Sequence, residues 1–470
     1  MEALTTAECR TFEEIRIGDS ASVSKTVTLE DIERYGAVTG DANPTHYDET
    51  VARASRFEGI VGHSMIAAGL ISNVLGNRLP GAGTVYRSQS FRFLRPVYAD
   101  DTVTATVMAR QKGPDQGVVV LDCTCVNQRG EEILTGVAEV VAPAEKLLVP
   151  RKVLPELRIR KHEKYDRLIA RAKEMTAMPT VVAHPCDETS LRGAVEAAEA
   201  GLITPVLVGP DNKIRATAET AGLDISRFEL VAAPHSQAAA AKAVELIRSG
   251  RGEVLMKGSL HTDELLREVA ARESGLRTGR RISHVFVMDV PTYPHPLFIT
   301  DAAVNIFPDL EAKRDIVQNA IDLHTALDPA VPRVAILSAV ETVTAKIPGT
   351  IDAAALCKMA DRGQITGGLL DGPLALDNAI SPEAARIKGI RSDVAGQAQI
   401  LVVPDLEAGN MLAKNLSFLA NADAAGIVLG ARVPIILTSR ADSVRTRLAS
   451  CAVAALYAHA RRQRTAQAAE

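Results

Sequence analysis

The hydrophobic pattern of this chain changes near residue 145, and this change restricts its fold more than any other feature of the sequence. Upstream lies one apolar stretch at residues 62–76, followed by four runs of alternating or β-branched residues. These runs cover residues 84–94, 102–110, 118–127 and 132–141. Downstream, short continuous apolar runs alternate with stretches that are compatible with helices. Because 470 residues are also too many for one ordinary hydrophobic core, the two patterns predict separate domains.

The upstream domain, residues 1–145, is predicted to be an α+β fold in which an antiparallel sheet wraps around a central helix. Residues 62–76 are apolar on nearly all sides and end at Gly76, which is typical of a buried helix. Turn-forming segments at residues 113–117 and 127–130 separate successive strands as hairpins. Together these features indicate the hot-dog arrangement.

Residues 146–165 are rich in proline and basic side chains, which predicts a solvated linker. The pattern of residues 166–470 predicts an α/β domain with a mainly parallel sheet, divided into two subdomains. Ligand sites are expected where the carboxyl ends of its strands meet the amino ends of its helices. The predicted strands lie at residues 180–183, 205–209, 229–232, 254–257, 284–290, 333–338, 400–403, 426–429 and 434–438, and helices are expected at 191–200, 236–248 and 262–270.

The composition of the chain limits the kinds of molecule that the protein is expected to bind. The formal net charge is −4, aromatic residues make up 3% of the chain and tryptophan is absent, so nothing favours a nucleic-acid or membrane partner. No apolar run reaches the roughly 18 residues of a membrane span. The six cysteines lack metal-ligand spacing, which is typical of reduced thiols in the cytoplasm. We therefore expect a cytoplasmic protein with small-molecule substrates, no metal and no bound cofactor.

Residues 40–46 place a carboxylate, Asp41, and an imidazole, His46, on either side of an Asn43-Pro44 turn. Pro44 fixes its own φ angle and disfavours a helical conformation at Asn43, so the segment should bend and let the two side chains converge. Such a pair could orient one water for both proton removal and proton delivery. Amides at the start of the helix near Ser64 would suit a thioester oxygen. A capped turn without catalytic function would explain the same residues.

Together with Tyr35 and Asp48, residues 39–46 resemble the MaoC family of (R)-specific enoyl-CoA hydratases, and the resemblance extends over about residues 10–142. It implies that Asp41 and His46 are the catalytic pair. The residues implied to bind substrate or to form the oxyanion site are Asn43, His63 and Ser64. Ser64 stands where the family usually has glycine, so the backbone amide is retained but a side chain is added to the acyl pocket.

A second series of motifs follows strand ends in the downstream domain. In chain order these are Met256-Lys257-Gly258, Thr300-Asp301-Ala302-Ala303, Asp371-Gly372-Pro373, the segment 404–410 and Ser439-Arg440. Each motif alone could be a turn or a helix cap. As an ordered series they resemble the phosphate acetyl/butyryltransferase family across residues 165–462. That resemblance implies acyl transfer between coenzyme A and inorganic phosphate through a ternary complex, without a metal or an acyl-enzyme.

The same resemblance assigns expected roles to individual residues. Ser439 would lie near the sulfur of coenzyme A, while Arg440 and Arg267 would hold phosphate or the developing oxyanion, for which the planar guanidinium is well shaped. The residues expected to bind substrate are Lys257, Thr262, Asp301, Asn410 and Lys414. Thr446 replaces an aspartate that acetyltransferases carry seven residues after the serine, and this departure bears on the choice of acyl group.

Both halves are thus predicted to act on coenzyme A thioesters, in a bifunctional hydratase and phosphate acyltransferase that forms a homo-oligomer. Two alternatives remain open. In the first, only the acyltransferase is an enzyme and the hot-dog domain is a non-catalytic acyl-CoA-binding or assembly module. In the second, the downstream half is a regulatory acyl-CoA sensor, against which the presence of Ser439, Arg440 and Arg267 argues.

Overall fold

The computed structural model describes residues 6–113, 115, 117–150, 163–437 and 443–469. The chain divides into two compact units, Met1–Arg160 and Lys161–Glu470. Each unit has its own hydrophobic cores. None of the helices in the described residues combines the length and the apolar character that a membrane span requires.

The first unit has the hot-dog architecture. Its strands are β1 (Thr6–Glu8), β2 (Ser20–Thr26), β3 (Val85–Phe93), β4 (Thr102–Lys112), β5 (Val118–Val126), β6 (Glu132–Val141) and β7 (Leu148–Pro150), and its helices are α1 (Leu29–Thr39), α2 (Glu49–Ala54) and α3 (Ser64–Asn77). A fully antiparallel sheet has the order β2-β4-β5-β6-β3, and β1 pairs with β7 beside it.

The central helix α3 packs against one face of this sheet. Its buried side chains include Ile71, Val74 and Leu75, none of which is exposed at all. Alternate residues of β4 and β5 are buried against it, as the two-residue period of a strand requires. The predicted buried helix and meander are therefore confirmed.

The second unit contains β8–β18 and α4–α14. The strands are β8 (Met178–Ala183), β9 (Ile203–Gly209), β10 (Glu229–Ala232), β11 (Val254–Lys257), β12 (Ser283–Asp289), β13 (Leu297–Thr300), β14 (Arg333–Leu337), β15 (Leu369–Leu374), β16 (Ile400–Val402), β17 (Asp423–Leu429) and β18 (Ile435–Ile436). The helices are α4 (Glu163–Lys173), α5 (Glu188–Glu199), α6 (Asp211–Ala221), α7 (Ser236–Arg248), α8 (Thr262–Ala270), α9 (Leu310–Leu327), α10 (Pro348–Asp361), α11 (Leu376–Ile380), α12 (Pro382–Ile387), α13 (Leu406–Leu419) and α14 (Val444–Ala469).

The strands of this unit form one mixed sheet in the order β10-β9-β8-β11-β18-β17-β12-β13-β16-β14-β15. At one end of the sheet, parallel pairing joins β10, β9, β8, β11 and β18. At the other end, it joins β13, β16, β14 and β15. Between these two blocks, β18-β17, β17-β12 and β12-β13 all pair antiparallel. Three reversals of direction make the two parallel blocks run in opposite senses. The mainly parallel α/β fold is confirmed, and its two parallel blocks belong to one continuous sheet.

Candidate functional site

The segment between α1 and α2 bends as the sequence predicts. Helix α1 ends at Gly40, whose φ of 75° lies in the left-handed region that glycine adopts readily. The Asn43 side-chain oxygen then accepts hydrogen bonds from the backbone and hydroxyl groups of Thr45, and a short 3₁₀ turn covers Pro44–His46. This turn brings the side chains of Asp41 and His46 to one point.

A third residue, His63, joins this pair. The Asp41 Oδ2 atom lies 3.9 Å from His46 Nε2 and 3.8 Å from His63 Nε2. The two imidazole rings stack, with centroids 3.8 Å apart and an interplanar angle of 30°. Both histidines are buried, whereas the Asp41 side chain is 49% exposed. The separations exceed a direct hydrogen bond and leave the carboxylate and imidazole free to share a small molecule such as water.

The hydrogen bond of the His46 ring determines which of its two nitrogens carries the proton and which has the lone pair. His46 Nδ1 lies 2.7 Å from the carbonyl oxygen of Val61, and a carbonyl can only accept, so Nδ1 carries the proton. In the neutral ring, Nε2 then presents its lone pair toward Asp41. Burial, reinforced by repulsion from His46 when that ring is protonated, lowers the pKa of His63 below its usual value.

These residues line a cavity of about 960 Å³. The wall includes every residue that the MaoC resemblance implicated: Asp41, Asn43, His46, His63 and Ser64. Apolar and cationic side chains complete it, among them Phe57, Phe93, Arg56 and Arg95. A cavity of this size accommodates the acyl end of a thioester, and the two arginines supply positive charge for an anionic carrier.

The first turn of α3 is the candidate oxyanion site. The amide of Gly62 donates to Val97 O at 2.7 Å and is therefore occupied. Ser64 is the first residue of the helix, where backbone amides have no carbonyl acceptor within the helix. Within the described residues, the side chain of His63, which precedes the helix, caps none of these amides. The Ser64 side chain is exposed and lines the cavity, so it adds bulk beside the amide.

In the second unit, Lys257 ends strand β11, where its ammonium donates to the carbonyl oxygens of Gly258 and Leu260. A Cβ atom at Gly258 would lie 2.5 Å from the backbone oxygen of Ala183, so only glycine permits the close approach of the loops that follow β8 and β11. Close packing of the backbone therefore explains the glycine of the Met-Lys-Gly motif in the turn after Lys257.

Helix α8 carries Thr262 at its first position and Arg267 in its last turn. Glu264 accepts a hydrogen bond from the backbone amide of His261, which precedes the helix, at 3.0 Å. Arg267 lies 3.7 Å from Asp263, and both side chains are well exposed. An exposed pair of this kind contributes little to stability, so the guanidinium can exchange its partner for a ligand.

Asp301, which follows strand β13, is buried and holds its own loop. Its carboxylate accepts hydrogen bonds from the backbone amides of Ala303, Val304 and Asn305 at 3.0–3.1 Å, and another from the Asn305 side chain. These bonds shape residues 301–305 directly. Binding of substrate by the Asp301 side chain remains a prediction.

The same loop contacts helix α13. Asn410 donates to Ala302 O at 3.3 Å, and Lys414 lies one turn further along the helix with an exposed side chain. Asp405 caps the helix by accepting from the amide of Ala408 at 2.9 Å, which confirms one structural interpretation of this motif. The structure thus places Asp301, Asn410 and Lys414 on neighbouring elements that follow β13 and β16, whereas Lys257 is the last residue of β11, a strand of the opposite sense.

Ser439, Arg440 and Asp442 lie outside the described residues. Thr446 is described, and it is buried in the first turn of α14, where its amide and hydroxyl group both bond to the Ser443 side chain. A threonine at this position therefore completes a helix cap.

The sequence did not reveal two further features. The first is the contact of His63 with Asp41, because the Gly62-His63-Ser64 turn was interpreted through its backbone amides. The second is a loop contact between Ser259 and His184, with Ser259 Oγ 3.2 Å from His184 Nδ1, beside Lys257. In the sequence, the glycine that follows Lys257 was the only indication of these tight loops.

The metal-ligating atoms of Asp41, His46 and His63 all lie within 4.8 Å of one another, so this group could hold a metal ion, which the sequence spacing did not suggest.

The structure thus combines a hot-dog domain, in which a carboxylate lies beside two imidazoles, with a second domain built on a mixed α/β sheet. Comparison with known proteins agrees with this architecture. The family model "Phosphate acetyl/butaryl transferase" matches residues 231–455, and "MaoC like domain" matches residues 16–121. The chain belongs to the phosphate acetyl/butyryl transferase family and carries a MaoC-like domain.

Two curated relatives and one solved structure illustrate the match. The phosphate acetyltransferase of Rhizobium meliloti is 77% identical over 299 residues, which are 64% of this chain and 95% of that protein. The phosphate butyryltransferase of Clostridium acetobutylicum is 42% identical over 294 residues, 63% of this chain and 98% of that protein. The crystal structure of a branched-chain phosphotransacylase from Enterococcus faecalis has a TM-score of 0.53 at 29% identity, and the match covers 60% of this chain and 99% of that one.

Proposed function

We propose that this phosphate acyltransferase transfers an acetyl or butyryl group between coenzyme A and inorganic phosphate, and that its hot-dog domain hydrates short-chain enoyl-CoA with (R) specificity. The transferase part is supported by family membership and by relatives that act on acetyl or butyryl groups. The observation that carries the hydratase part is the approach of Asp41 Oδ2 to within 3.9 Å of His46 Nε2 in a cavity large enough for an acyl chain.

Hydration of the enoyl thioester requires one water molecule, removal of a proton from that water and delivery of a proton to the α carbon. A water held between Asp41 Oδ2 and His46 Nε2 loses a proton to the pair while its oxygen bonds to the β carbon of the enoyl thioester. Electron density moves to the thioester oxygen, and we assign its stabilisation to the backbone amide of Ser64 at the start of α3. The pair then returns the proton to the α carbon, so that water is added and the enzyme is unchanged. Asn43 supports the turn that presents both groups.

Transfer to phosphate requires a different set of groups. An oxygen of hydrogen phosphate attacks the thioester carbonyl, the C–S bond breaks, and the proton of the hydrogen phosphate passes to the sulfur, so that acyl phosphate and the thiol of coenzyme A are formed. We assign Arg267 and Arg440 to hold the phosphate dianion and the developing oxyanion, and Ser439 to the region of the sulfur. Lys257, Thr262, Asn410 and Lys414 are proposed to bind the substrates, and Asp301 to shape the loop that contacts Asn410.

Purified full-length protein tests both activities. Crotonyl-CoA is assayed for loss of the conjugated thioester absorbance. Acetyl-CoA and butyryl-CoA are each assayed for release of coenzyme A with and without phosphate. We expect hydration of crotonyl-CoA and release that requires phosphate, with acetyl-CoA the better donor because the 77% identical relative is an acetyltransferase. Absence of phosphate-dependent release from both donors contradicts the transferase assignment.

One observation favours the alternative in which the hot-dog domain binds acyl-CoA without catalysis. The Ser64 side chain lines the cavity beside the candidate oxyanion amide, where it narrows the acyl site. A Ser64→Gly variant separates the two possibilities. If only this variant hydrates crotonyl-CoA, the natural domain is a binding module; if both proteins do, the domain is a hydratase.

We further propose that the protein is a cytoplasmic homo-oligomer. Large apolar side chains are exposed on each unit, including Val85 on β3 and Phe418 on α13, which are 60% and 80% exposed. Burying such side chains against a second copy would stabilise an assembly. Light scattering after size exclusion measures the mass directly, and a mass of about 50 kDa, that of a single chain, would contradict the proposal.

A further inference from the structure

Asp41, His46 and His63 form a group with the composition of a metal site. Two imidazole nitrogens and one carboxylate oxygen, each a possible metal ligand, all lie within 4.8 Å of one another. This donor set suits borderline first-row ions such as Zn²⁺ and Co²⁺, whereas Mg²⁺ and Ca²⁺ prefer sites made of oxygen atoms. We propose that the hot-dog domain binds one Zn²⁺ ion through these three side chains, and that the ion inhibits hydration.

The distances from the carboxylate are close to those between zinc ligands, and the two stacked imidazole rings must turn for both to bind one ion. Ligand atoms about 2.1 Å from a tetrahedral zinc ion are about 3.4 Å apart. The observed distances from Asp41 Oδ2 are 3.9 Å to His46 Nε2 and 3.8 Å to His63 Nε2. Drawing the carboxylate inward by a few tenths of an ångström brings both into range, and Asp41 is the exposed and least confined member of the group.

The hydrogen bond of His46 prepares it as a ligand. Its Nδ1 donates to Val61 O at 2.7 Å, which leaves the lone pair of Nε2 in the neutral ring available to a metal ion. A metal-bound histidine normally has such a carbonyl behind it, because the bond orients the ring and raises its donor strength.

His63 is a buried imidazole whose hydrogen-bonding capacity is poorly used. It is 3% exposed, and among the described residues its Nδ1 has no partner. Its Nε2 has only long contacts to Asp41, 3.4 Å to the backbone oxygen and 3.8 Å to Oδ2. Buried polar atoms are rarely left in this state. Binding of an ion at Nε2 requires the ring proton to lie on Nδ1, and the ion would then replace the long contact of Nε2 with the Asp41 backbone oxygen.

Access and a free coordination position are both available. The group lines the cavity of about 960 Å³, and roughly half of the Asp41 side chain is exposed. Three protein ligands leave the fourth position of a tetrahedral ion for water. The ion would occupy the space between Asp41 and His46 that the reacting water needs, and it would withdraw both side chains from proton transfer. The inhibitory part of the proposal rests on the proposed hydratase function, whereas the binding part does not.

Binding is tested on metal-free full-length protein by titration calorimetry with Zn²⁺ and by the visible spectrum of added Co²⁺. The test variants are Asp41→Asn, His46→Gln and His63→Gln, and the control is His295→Gln, which alters an exposed histidine of the other unit. We expect one Zn²⁺ per chain in the natural protein and the control, and an affinity at least about tenfold weaker in each test variant. Equal affinity in all five proteins, or no binding to the natural protein, overturns the proposal.

A direct location of the ion does not depend on the folding of any variant. Crystals of the natural protein grown with Zn²⁺ are measured at the zinc absorption edge. An anomalous peak bonded to Asp41, His46 and His63 supports the site, and a peak elsewhere with none between these residues overturns it.

The hydration assay separates the two proposals. If Zn²⁺ suppresses crotonyl-CoA hydration over the concentration range in which it binds, and a chelator restores the rate, both proposals stand. If the protein binds Zn²⁺ at these residues but never hydrates crotonyl-CoA, the hydratase function fails and the metal site remains. If hydration proceeds unchanged while the site is saturated with Zn²⁺, inhibition is wrong.

Discussion

Replacement of Gly409 by alanine tests how the second unit positions its substrate-binding residues. Gly409 is buried in helix α13, beside Asn410. A Cβ atom at this position would lie 2.8 Å from Val403 Cγ2, 2.9 Å from Asp301 O and 3.0 Å from Ala302 Cα. Two of these atoms belong to the backbone of the loop that Asp301 organises, so the loop or the helix must move.

Two opposing effects set the magnitude. Alanine stabilises a helix relative to glycine by about 1 kcal/mol. Overpacking a core by one methyl group costs about 1–3 kcal/mol, and contact with backbone favours the upper end of that range. We therefore expect Gly409→Ala to lower the free energy of unfolding of this unit by about 2 kcal/mol. Displacement of the loop should also disturb the contact between Asn410 and Ala302, and so reduce phosphate-dependent release of coenzyme A.

Urea unfolding of the full chain, followed through retention of transferase activity, measures the effect. Gly279→Ala is the matched control, since Gly279 is exposed and an added Cβ would meet no atom within 4 Å. The control should unfold within about 0.5 kcal/mol of the natural protein. A Gly409→Ala protein that resists urea as well as the natural one would refute the packing argument.

Two further predictions concern the second unit. Burial lowers the pKa of His284 to about 4, against an opposing effect of nearby Asp301; because the unfolded imidazole protonates near pH 6.5, stability should fall as the pH drops from about 6.5 to 4. A His284→Gln variant should lose less of its urea resistance over this range, and an identical pH profile for both proteins would contradict the prediction. Arg267→Ala should raise the KM for phosphate about tenfold or more, through loss of a charged hydrogen bond, with Arg267→Lys recovering only part because lysine lacks the planar fork. An unchanged KM in Arg267→Ala would exclude Arg267 from the phosphate site.

Periodic hydrophobic patterns predicted most of the fold. The alternating run at residues 102–110 corresponds to β4 (Thr102–Lys112), and the apolar run at 284–290 to β12 (Ser283–Asp289). In the first unit, β1, β2 and β7 had no predicted counterpart, and β7 (Leu148–Pro150) lies in the segment predicted to be a linker. In the second unit, two strands were missed because their local signals indicated loops. Strand β13 is only four residues long and follows a proline-rich segment, while β15 contains the Gly372-Pro373 pair that otherwise marks a turn.

Strand direction was beyond the reach of the sequence, for a physical reason. Whether a short apolar run pairs parallel or antiparallel depends on neighbours distant in the chain: β12 pairs with β17, whose residues lie more than a hundred positions away. The sequence could therefore place Lys257 and Asp301 at strand ends but not show that these strands run in opposite senses.

The candidate hydratase site shows the same limit. Asp41 and His46 lie on one turn, and Pro44 between them sufficed to predict their convergence. His63 reaches them from the start of another helix, α3, so its contact depends on how that helix packs in the sheet. Local sequence contains no signal for such a contact.

Substitution of Asp41 by asparagine, with both reactions measured on the same preparation, tests the central claim most directly. The change preserves the size of the side chain but removes the carboxylate that would share water with His46. We predict that crotonyl-CoA hydration falls by about 10²–10⁴-fold, while phosphate-dependent release of coenzyme A, assigned to the other unit, is unchanged. Hydration at the rate of the natural protein in Asp41→Asn would contradict the account.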